Sequence, residues 1–247
     1  KRGEDARARL LALPELAHEW AAHVQDWARM NAVLARSEGA RRAPSRAHEY
    51  LVYQSLAGAW PLAGPDGSFA DRMEACAIKA AREGKVETSW TNPDERYEAG
   101  LAAFVRGILD PTGSRAFIDS FSAFACRLAL IGALNSLSQL ALKAMMPGVP
   151  DFYQGTEFWD LSLVDPDNRR PVDFAAREAA LRAVEERCDW QELARGWPDG
   201  RIKMALTRRL LALRAQFAPV FTDGGYRPLP VAGVDADHVI AFARHAG

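Results

Sequence analysis

Residues 146–174 read MPGVPDFYQGTEFWDLSLVDPDNRRPVDF and are the most informative stretch of the chain. Pro147 and Gly148 end a long helical pattern, and residues 149–153 then form a short apolar run between two glycines. A run of that length, bounded by turn residues, predicts a buried strand of the kind found in parallel sheets. Residues 156–175 are rich in Asp, Pro, Asn and Arg, which predicts an irregular loop.

Helical patterns precede this stretch. Apolar side chains recur at steps of three and four through residues 5–35, which predicts one helix with a single apolar stripe. Ser45, Ser68 and Asn92 each stand where a helix N-cap is expected. The spacing after these caps and the apolar periodicity further on predict helices over residues 45–59, 68–84, 92–109 and 114–145.

The pattern after the stretch begins with helices and ends differently. Two more helices are predicted over residues 173–188 and 201–216. The tail then holds short strand-like runs at 226–229, 231 and 238–243, separated by Gly and Pro. The chain is therefore expected to be mainly α with a little β.

Composition excludes several classes of partner. The 247 residues carry 31 basic and 32 acidic side chains, so no basic field exists to hold nucleic acid. The three cysteines form no C-x-x-C pair, which favours a reducing compartment, the cytoplasm. The most apolar stretch, residues 128–142, contains Asn, Ser and Gln and is short for a membrane span. We expect neither a nucleic-acid nor a membrane partner.

Common catalytic and cofactor motifs are absent from the sequence. It contains no G-x-S-x-G, G-x-x-x-x-G-K-[ST], G-x-G-x-x-G or H-E-x-x-H. The run from Asp165 begins like a calcium loop, but Arg170 replaces the glycine at its sixth position and Ala176 the glutamate at its twelfth. No metal and no cofactor is expected.

The central stretch carries a family resemblance. Its pattern P-G-x-P-x-x-Y-x-G-x-E, which starts at Pro147, resembles the eighth barrel strand and the following loop of the α-amylase superfamily. With the run D-P-D-N-R-R-P from Asp165, it resembles the maltooligosyl trehalose synthase family in particular. Similar agreement extends to residues 1–10, which resemble the family stretch after its H-D-T motif, and to 87–98, 208–218, 226–229 and 237–242.

The resemblance implies the fold and organisation of a larger enzyme. It implies the C-terminal fragment of a (β/α)8 barrel that carries a large helical insertion, followed by the start of a β domain. The chain opens on a charge cluster without methionine, and we expect it to be a fragment. The expected segments are the end of barrel loop seven, the helical insertion, strand eight with flanking helices, and the truncated β domain, at residues 1–10, 11–125, 126–220 and 221–247.

The resemblance also implies the reaction. Members isomerise the reducing-end α-1,4 bond of a maltooligosaccharide to an α,α-1,1 bond and so give a trehalosyl terminus for trehalose biosynthesis. The mechanism is that of a retaining glycosidase. All three of the family's carboxylates would precede Lys1, so no catalytic residue is assigned here. The fragment alone is expected to be inactive, and its expected partners are the maltooligosaccharide substrate and the missing N-terminal barrel portion.

Seven residues are candidate substrate contacts. Lys1 and Arg2 would follow the third carboxylate, and Tyr153 and Gln154 would follow the end of strand eight. The other candidates lie in the loop that borders the sugar pocket, where an arginine can donate a fork of hydrogen bonds to hydroxyls: Asp165, Asn168 and Arg169. An alternative for Arg169 is a salt bridge with Asp165 or Asp167.

Two other functions remain open from the sequence. One is another α-glucan-active enzyme of the same superfamily, such as an α-glucosidase. The other is a helical interaction module without catalysis. Against the module stands the strand predicted at residues 149–153, because a single strand cannot satisfy its own backbone hydrogen bonds.

Overall fold

A computed structural model describes residues 2–38 and 41–246. The chain divides into two compact units, and each is considered by itself. The first comprises Lys1–Asn135 with Asp160–Pro171, and the second Ser136–Trp159 with Val172–Gly247. The structure is mostly helical with little strand, which confirms that part of the expected fold class. The barrel and the four-segment division remain predictions.

The first unit is built from helices and one small hairpin. The two strands of the hairpin pair antiparallel, with Arg36 opposite Ala43 and Glu38 opposite Arg41. Three short 3-10 helices lie at Leu13–Leu16, Ala32–Leu34 and Asp167–Arg169. The remaining elements are α1 (Glu4–Leu10), α2 (Ala17–Met30), β1 (Arg36–Glu38), β2 (Arg41–Ala43), α3 (Arg46–Ala59), α4 (Gly67–Gly84), α5 (Glu95–Ile108) and the first two thirds of α6 (Arg115–Met145).

Local capping signals place most helix starts to within a few residues. Ser45 caps α3 as predicted, and its hydroxyl accepts a hydrogen bond from the His48 amide at 3.3 Å. The predicted caps Ser68 and Asn92 are wrong by two residues each. Asp66 caps α4 and Asp94 caps α5, because a carboxylate at the N-cap accepts an amide bond and also carries the charge that a helix N-terminus favours.

The single helix predicted over residues 5–35 is wrong. The chain instead forms α1, a 3-10 turn, α2 and a second 3-10 turn. Pro14 lies at the start of the first turn. Proline lacks an amide hydrogen and disfavours helical backbone at the preceding residue, so α1 cannot run on into α2. The spacing of the apolar residues is nearly regular on both sides of Pro14, so the spacing alone did not reveal the break.

The core of the first unit is aromatic. Trp27 is completely buried, and its ring centroid lies 4.5 Å from that of Phe121 and 5.6 Å from that of Trp20. The Trp27 indole nitrogen donates to the Ser120 hydroxyl at 3.0 Å, so its polar atom is satisfied. The predicted phenylalanine periodicity of α6 is confirmed, since Phe117, Phe121 and Phe124 all face this core.

Helix α6 is also long and apolar enough to cross a membrane by length and composition. Half of its most apolar window is buried in protein. Core helices of globular proteins meet the same test, and the burial of its phenylalanines matches that role. The expectation of no membrane partner stays a prediction.

The second unit begins with the last third of α6 and ends in a hairpin. Helices predicted over residues 173–188 and 201–216 are confirmed as α7 and α9. The hairpin strands pair antiparallel, with Gly225 opposite His245 and Pro228 opposite Phe242. The elements are α7 (Phe174–Glu186), α8 (Trp190–Arg195), α9 (Arg201–Gln216), α10 (Ala218–Thr222), β3 (Gly225–Pro228) and β4 (Phe242–His245).

The strand predicted at residues 149–153 is wrong for this chain. The segment is irregular, and the Val149 side chain is 98% exposed. A central strand needs a neighbour on each side to take its backbone hydrogen bonds, and among the described residues the sheets are two separate two-stranded hairpins. The apolar residues typical of a buried strand are therefore present without the sheet that would bury them.

Candidate functional site

The loop of residues 160–171 is tied to helix α4 in the first unit. The Arg72 guanidinium forms a fork on Asp167, with Nε–Oδ1 at 2.7 Å and Nη2–Oδ2 at 2.9 Å. The same Nη2 donates to the Leu161 carbonyl at 3.0 Å, and the Lys79 ammonium donates to the Asp165 carbonyl. Helix α4 thus holds the loop through side chains that lie more than 80 residues away in sequence.

The beginning of the chain is tied to the same loop. Arg2 Nε donates to Asp160 Oδ2 at 2.6 Å, and its Nη1 donates to the Arg170 carbonyl. The Asp160 amide donates to Asp5 Oδ2 at 2.5 Å. Gly3 has φ +90°, and a Cβ there would lie 2.5 Å from the Ser162 carbonyl oxygen. Only glycine allows the two segments to approach so closely.

The Asp160 and Asp167 carboxylates of this network are ionised at neutral pH. Burial works to raise the pKa of Asp160, but hydrogen bonds from Ser162 and Arg2 outweigh it and leave the pKa below its ordinary value. The same balance lowers the pKa of Asp167, where the bonds come from Arg72 and the Leu163 amide. These carboxylates can accept hydrogen bonds and orient cations, but they hold no proton to give as general acids.

The candidate contacts in the loop lie on its exposed side. Arg169 donates from Nε to Asp165 Oδ1 at 2.5 Å, and both side chains face solvent. The salt bridge considered from the sequence is therefore what this structure shows for Arg169. Asn168 is half-buried and lies in the short 3-10 helix Asp167–Arg169. The Arg2 side chain is 10% exposed and paired with Asp160, which suits support of a site better than direct contact.

The remaining candidates fall elsewhere. Lys1 lies outside the described residues. Tyr153 and Gln154 belong to the second unit and are exposed. The Tyr153 carbonyl accepts from the Thr156 hydroxyl at 2.7 Å, and the nearby Glu157 carboxylate accepts from Arg177 Nε at 2.8 Å. Glu157 therefore supports its loop.

Sequence reasoning missed Arg72, Lys79, Asp5 and Asp160. Arg72 and Lys79 are seven residues apart, two helical turns, so the sequence places them on one face of α4. That spacing does not reveal their partners, which are fixed only by the folded chain.

An open groove of about 830 Å³ lies beside the loop in the first unit. Its walls come from α1 to α4 and from residues 162–164, and they are mainly apolar. Trp20 and Tyr50 contribute aromatic surface, and the Trp20 indole donates to the Tyr50 hydroxyl at 3.1 Å. Within residues 2–38 and 41–246, no group of three or more His, Cys, Asp or Glu side chains could hold a metal ion.

Comparison with known proteins finds similarity along nearly the whole chain. No family model matches it. A protein of Mycobacterium tuberculosis that carries the provisional name maltooligosyl trehalose synthase is 34% identical over 246 residues, 99% of this chain. A crystal structure of a maltooligosyl trehalose synthase superposes with a TM-score of 0.85 at 35% identity over 97% of the chain, and the Arthrobacter ramosus enzyme with 0.79 at 34% over 99%.

The chain is similar, over its whole length, to part of a maltooligosyl trehalose synthase.

The match confirms the resemblance that the central stretch indicated. It also has a fixed extent: the chain spans 28% of the Mycobacterium protein and 29–31% of the maltooligosyl trehalose synthase structures named above. About seven tenths of each relative has no counterpart here. The chain therefore matches one part of each of these relatives.

Proposed function

We propose that this chain works as part of a maltooligosyl trehalose synthase, which turns the reducing-end α-1,4 bond of a maltooligosaccharide into an α,α-1,1 bond. One observation carries the proposal. The chain is 34–35% identical over nearly its full length to proteins of that name, with a TM-score of 0.85 to one of them. A similarity at this level covers sequence and fold together, which a shared helical architecture alone does not.

The catalytic carboxylates belong to the seven tenths of the relatives that this chain lacks. A retaining enzyme places two carboxyl groups about 5–5.5 Å apart, one as nucleophile and one as acid and base. In this chain, the Asp160 and Asp167 carboxylates are ionised and are paired with Arg2 and Arg72. These pairings favour a structural role for both carboxylates over a catalytic one. The chain by itself is then inactive.

The contribution of this part is to close and shape the reducing-end side of the pocket. After the α-1,4 bond breaks, the released glucose must turn and attack through its anomeric hydroxyl before water does, which requires a pocket that excludes solvent. The groove built by α1 to α4 and the loop is the kind of concave, mainly apolar surface that such closure needs. Asp165, Asn168 and Arg169 lie on the same loop as the lining residues 162–164 and are the polar groups proposed to contact the sugar.

A chimera tests this proposal. The matching 246-residue region of the Mycobacterium tuberculosis protein is replaced by this chain, and the product is incubated with maltopentaose. We expect loss of reducing ends with formation of a trehalosyl product, and no product from the 247-residue chain alone. The unmodified relative is the control.

Two results would contradict the proposal. A folded chimera that releases glucose without forming the non-reducing product would identify the chain as part of a hydrolase. A folded chimera without any activity on maltopentaose, beside an active control, would remove the enzymatic assignment.

A further inference from the structure

Helix α4 reaches the 160–171 loop through two cations. Arg72 binds the Asp167 carboxylate and the Leu161 carbonyl, and Lys79 binds the Asp165 carbonyl. These contacts lie on both sides of Pro166, so the helix fixes the loop before and after its turn. The Arg72 and Asp167 side chains are 19% and 10% exposed, which shields their pair from water.

We infer that Arg72 is a positioning residue for the isomerisation: it sets the loop in the geometry that transfer to glucose requires. The inference rests on the proposed function. Asp167 is the first residue of the 3-10 helix Asp167–Arg169, and this turn presents Asn168 and Arg169 at the loop surface. A residue that fixes Asp167 therefore fixes where those side chains lie, without touching substrate itself.

The chemistry of this position favours arginine over lysine. The two parallel bonds to Asp167 and the third to Leu161 use the planar fork of the guanidinium, which an ammonium cannot reproduce. Asp167 has two other partners, the Leu163 amide at 2.7 Å and Arg170 at 3.1 Å. Loss of Arg72 should therefore shift the loop and leave it folded, since the carboxylate keeps part of its pairing.

The expected consequence is a loss of catalysis that exceeds any loss of stability. A displacement of about 1 Å in a positioning element can lower a rate by as much as 100-fold. Transfer should suffer more than hydrolysis, because water is small and abundant, whereas the released glucose must be held with its anomeric hydroxyl aimed at the reacting carbon. The ratio of trehalosyl product to free glucose is thus the most specific readout.

The experiment compares Arg72→Gln, Arg72→Lys and Arg106→Gln in the chimera. Arg106 is the matched control because it also binds carboxylates of α4, Asp71 and Glu74, but does not bind the loop. Three quantities are measured: hydrogen exchange of the Leu163 amide, kcat and KM with maltopentaose, and the product ratio. Exchange does not depend on activity and reports on the loop itself.

We expect Arg72→Gln to speed Leu163 exchange, to lower kcat at least about tenfold and to shift products toward glucose, with Arg72→Lys intermediate and Arg106→Gln unchanged. Unchanged exchange in Arg72→Gln overturns the inference. Faster exchange with unchanged kinetics and product ratio also overturns it, because Arg72 would then act on structure only. A parent chimera that is inactive from the start overturns the proposed function and, with it, any role of Arg72 in the reaction, whatever the exchange shows.

Discussion

The two units differ in how completely they satisfy their own side chains. In the first, Trp27, Tyr53, Leu56 and Phe121 are fully buried in one continuous core, and the loop of residues 160–171 has its charges paired internally. In the second, the buried clusters are small, one around Leu140 and Leu210 and one around Val184. Large apolar side chains remain exposed there, among them Val149, Phe174 and Ile240.

On the proposed function, this difference indicates which unit depends on the rest of the longer enzyme. Single exposed apolar residues are ordinary, but a segment with the composition of a buried strand and an exposed valine is not. The first unit also exposes apolar side chains such as Val33 and Val86, but it holds one continuous core and the partners of the ionic groups in its 160–171 loop. The second exposes the apolar run at residues 149–153, and on the proposed function its partners lie in the seven tenths of the relatives without a counterpart here.

The largest expected effect is the loss of Trp27. Trp27→Ala should lower the free energy of unfolding of the first unit by about 3–5 kcal/mol, because it removes a fully buried indole and leaves a cavity among rigid aromatic rings. The control is Trp190→Ala in the second unit, where the side chain is 45% exposed and the expected change is within about 0.5 kcal/mol. Urea denaturation followed by circular dichroism measures both. Equal shifts in the two variants would break the contrast between the units.

A smaller effect is expected at the buried carboxylate of Glu98. It accepts from Arg82 at 2.8 and 2.6 Å and from the Thr88 hydroxyl at 2.6 Å, and the bonds from Arg82 lower the pKa of Glu98 below its ordinary value of 4.5. A carboxyl whose pKa is lowered by folding stabilises the fold above its unfolded pKa and loses that contribution as the pH falls through its folded pKa. Glu98→Gln should therefore cost about 1–2 kcal/mol at pH 7 and progressively less below about pH 4.5.

The measurement for Glu98 is urea denaturation between pH 7 and pH 3. Glu95→Gln is the matched control, since Glu95 lies on the same helix and is exposed. The difference between Glu98→Gln and the parent should shrink as the pH falls and should exceed that for Glu95→Gln at pH 7, since Glu95→Gln loses only the interaction of an exposed first-turn carboxylate with the helix N-terminus. A difference for Glu98→Gln that is constant over the whole pH range would show that the ion pair with Arg82 does not stabilise the first unit.

What the sequence could predict of the fold was local. Ser45 as a cap and the phenylalanine spacing of α6 depend on contacts within one helix or on one repeated face, and both were confirmed. The helix over residues 5–35 failed at Pro14, where a local signal was outweighed by regular apolar spacing. The strand at 149–153 failed for the opposite reason, because its local pattern is correct for a sheet that this chain does not supply.

For the candidate site, the sequence predicted which segment forms it but not which side chains contact each other. The motif around Asp165 pointed to the loop, and the pairing of Arg169 with Asp165 was among the alternatives. The role of Arg72 could not be predicted, because nothing in the sequence of α4 indicates that Arg72 pairs with a carboxylate 95 residues away. Long-range ion pairs of this kind follow from tertiary packing alone.

The smallest effect in the 247-residue chain itself is expected at Val149, and it tests whether residues 149–153 form a buried strand in the longer protein. Val149 and Val234 are 98% and 99% exposed, so in the 247-residue chain both Val149→Asn and Val234→Asn should change the free energy of unfolding by less than about 0.5 kcal/mol. In the chimera, where residues 149–153 would lie between barrel strands, Val149→Asn should cost about 1–3 kcal/mol, since a polar amide would then be buried, while Val234→Asn stays neutral. Negligible shifts for both variants in a folded chimera would show that this segment is not a buried strand even in the longer protein, and the exposed apolar surface of the second unit would need another explanation.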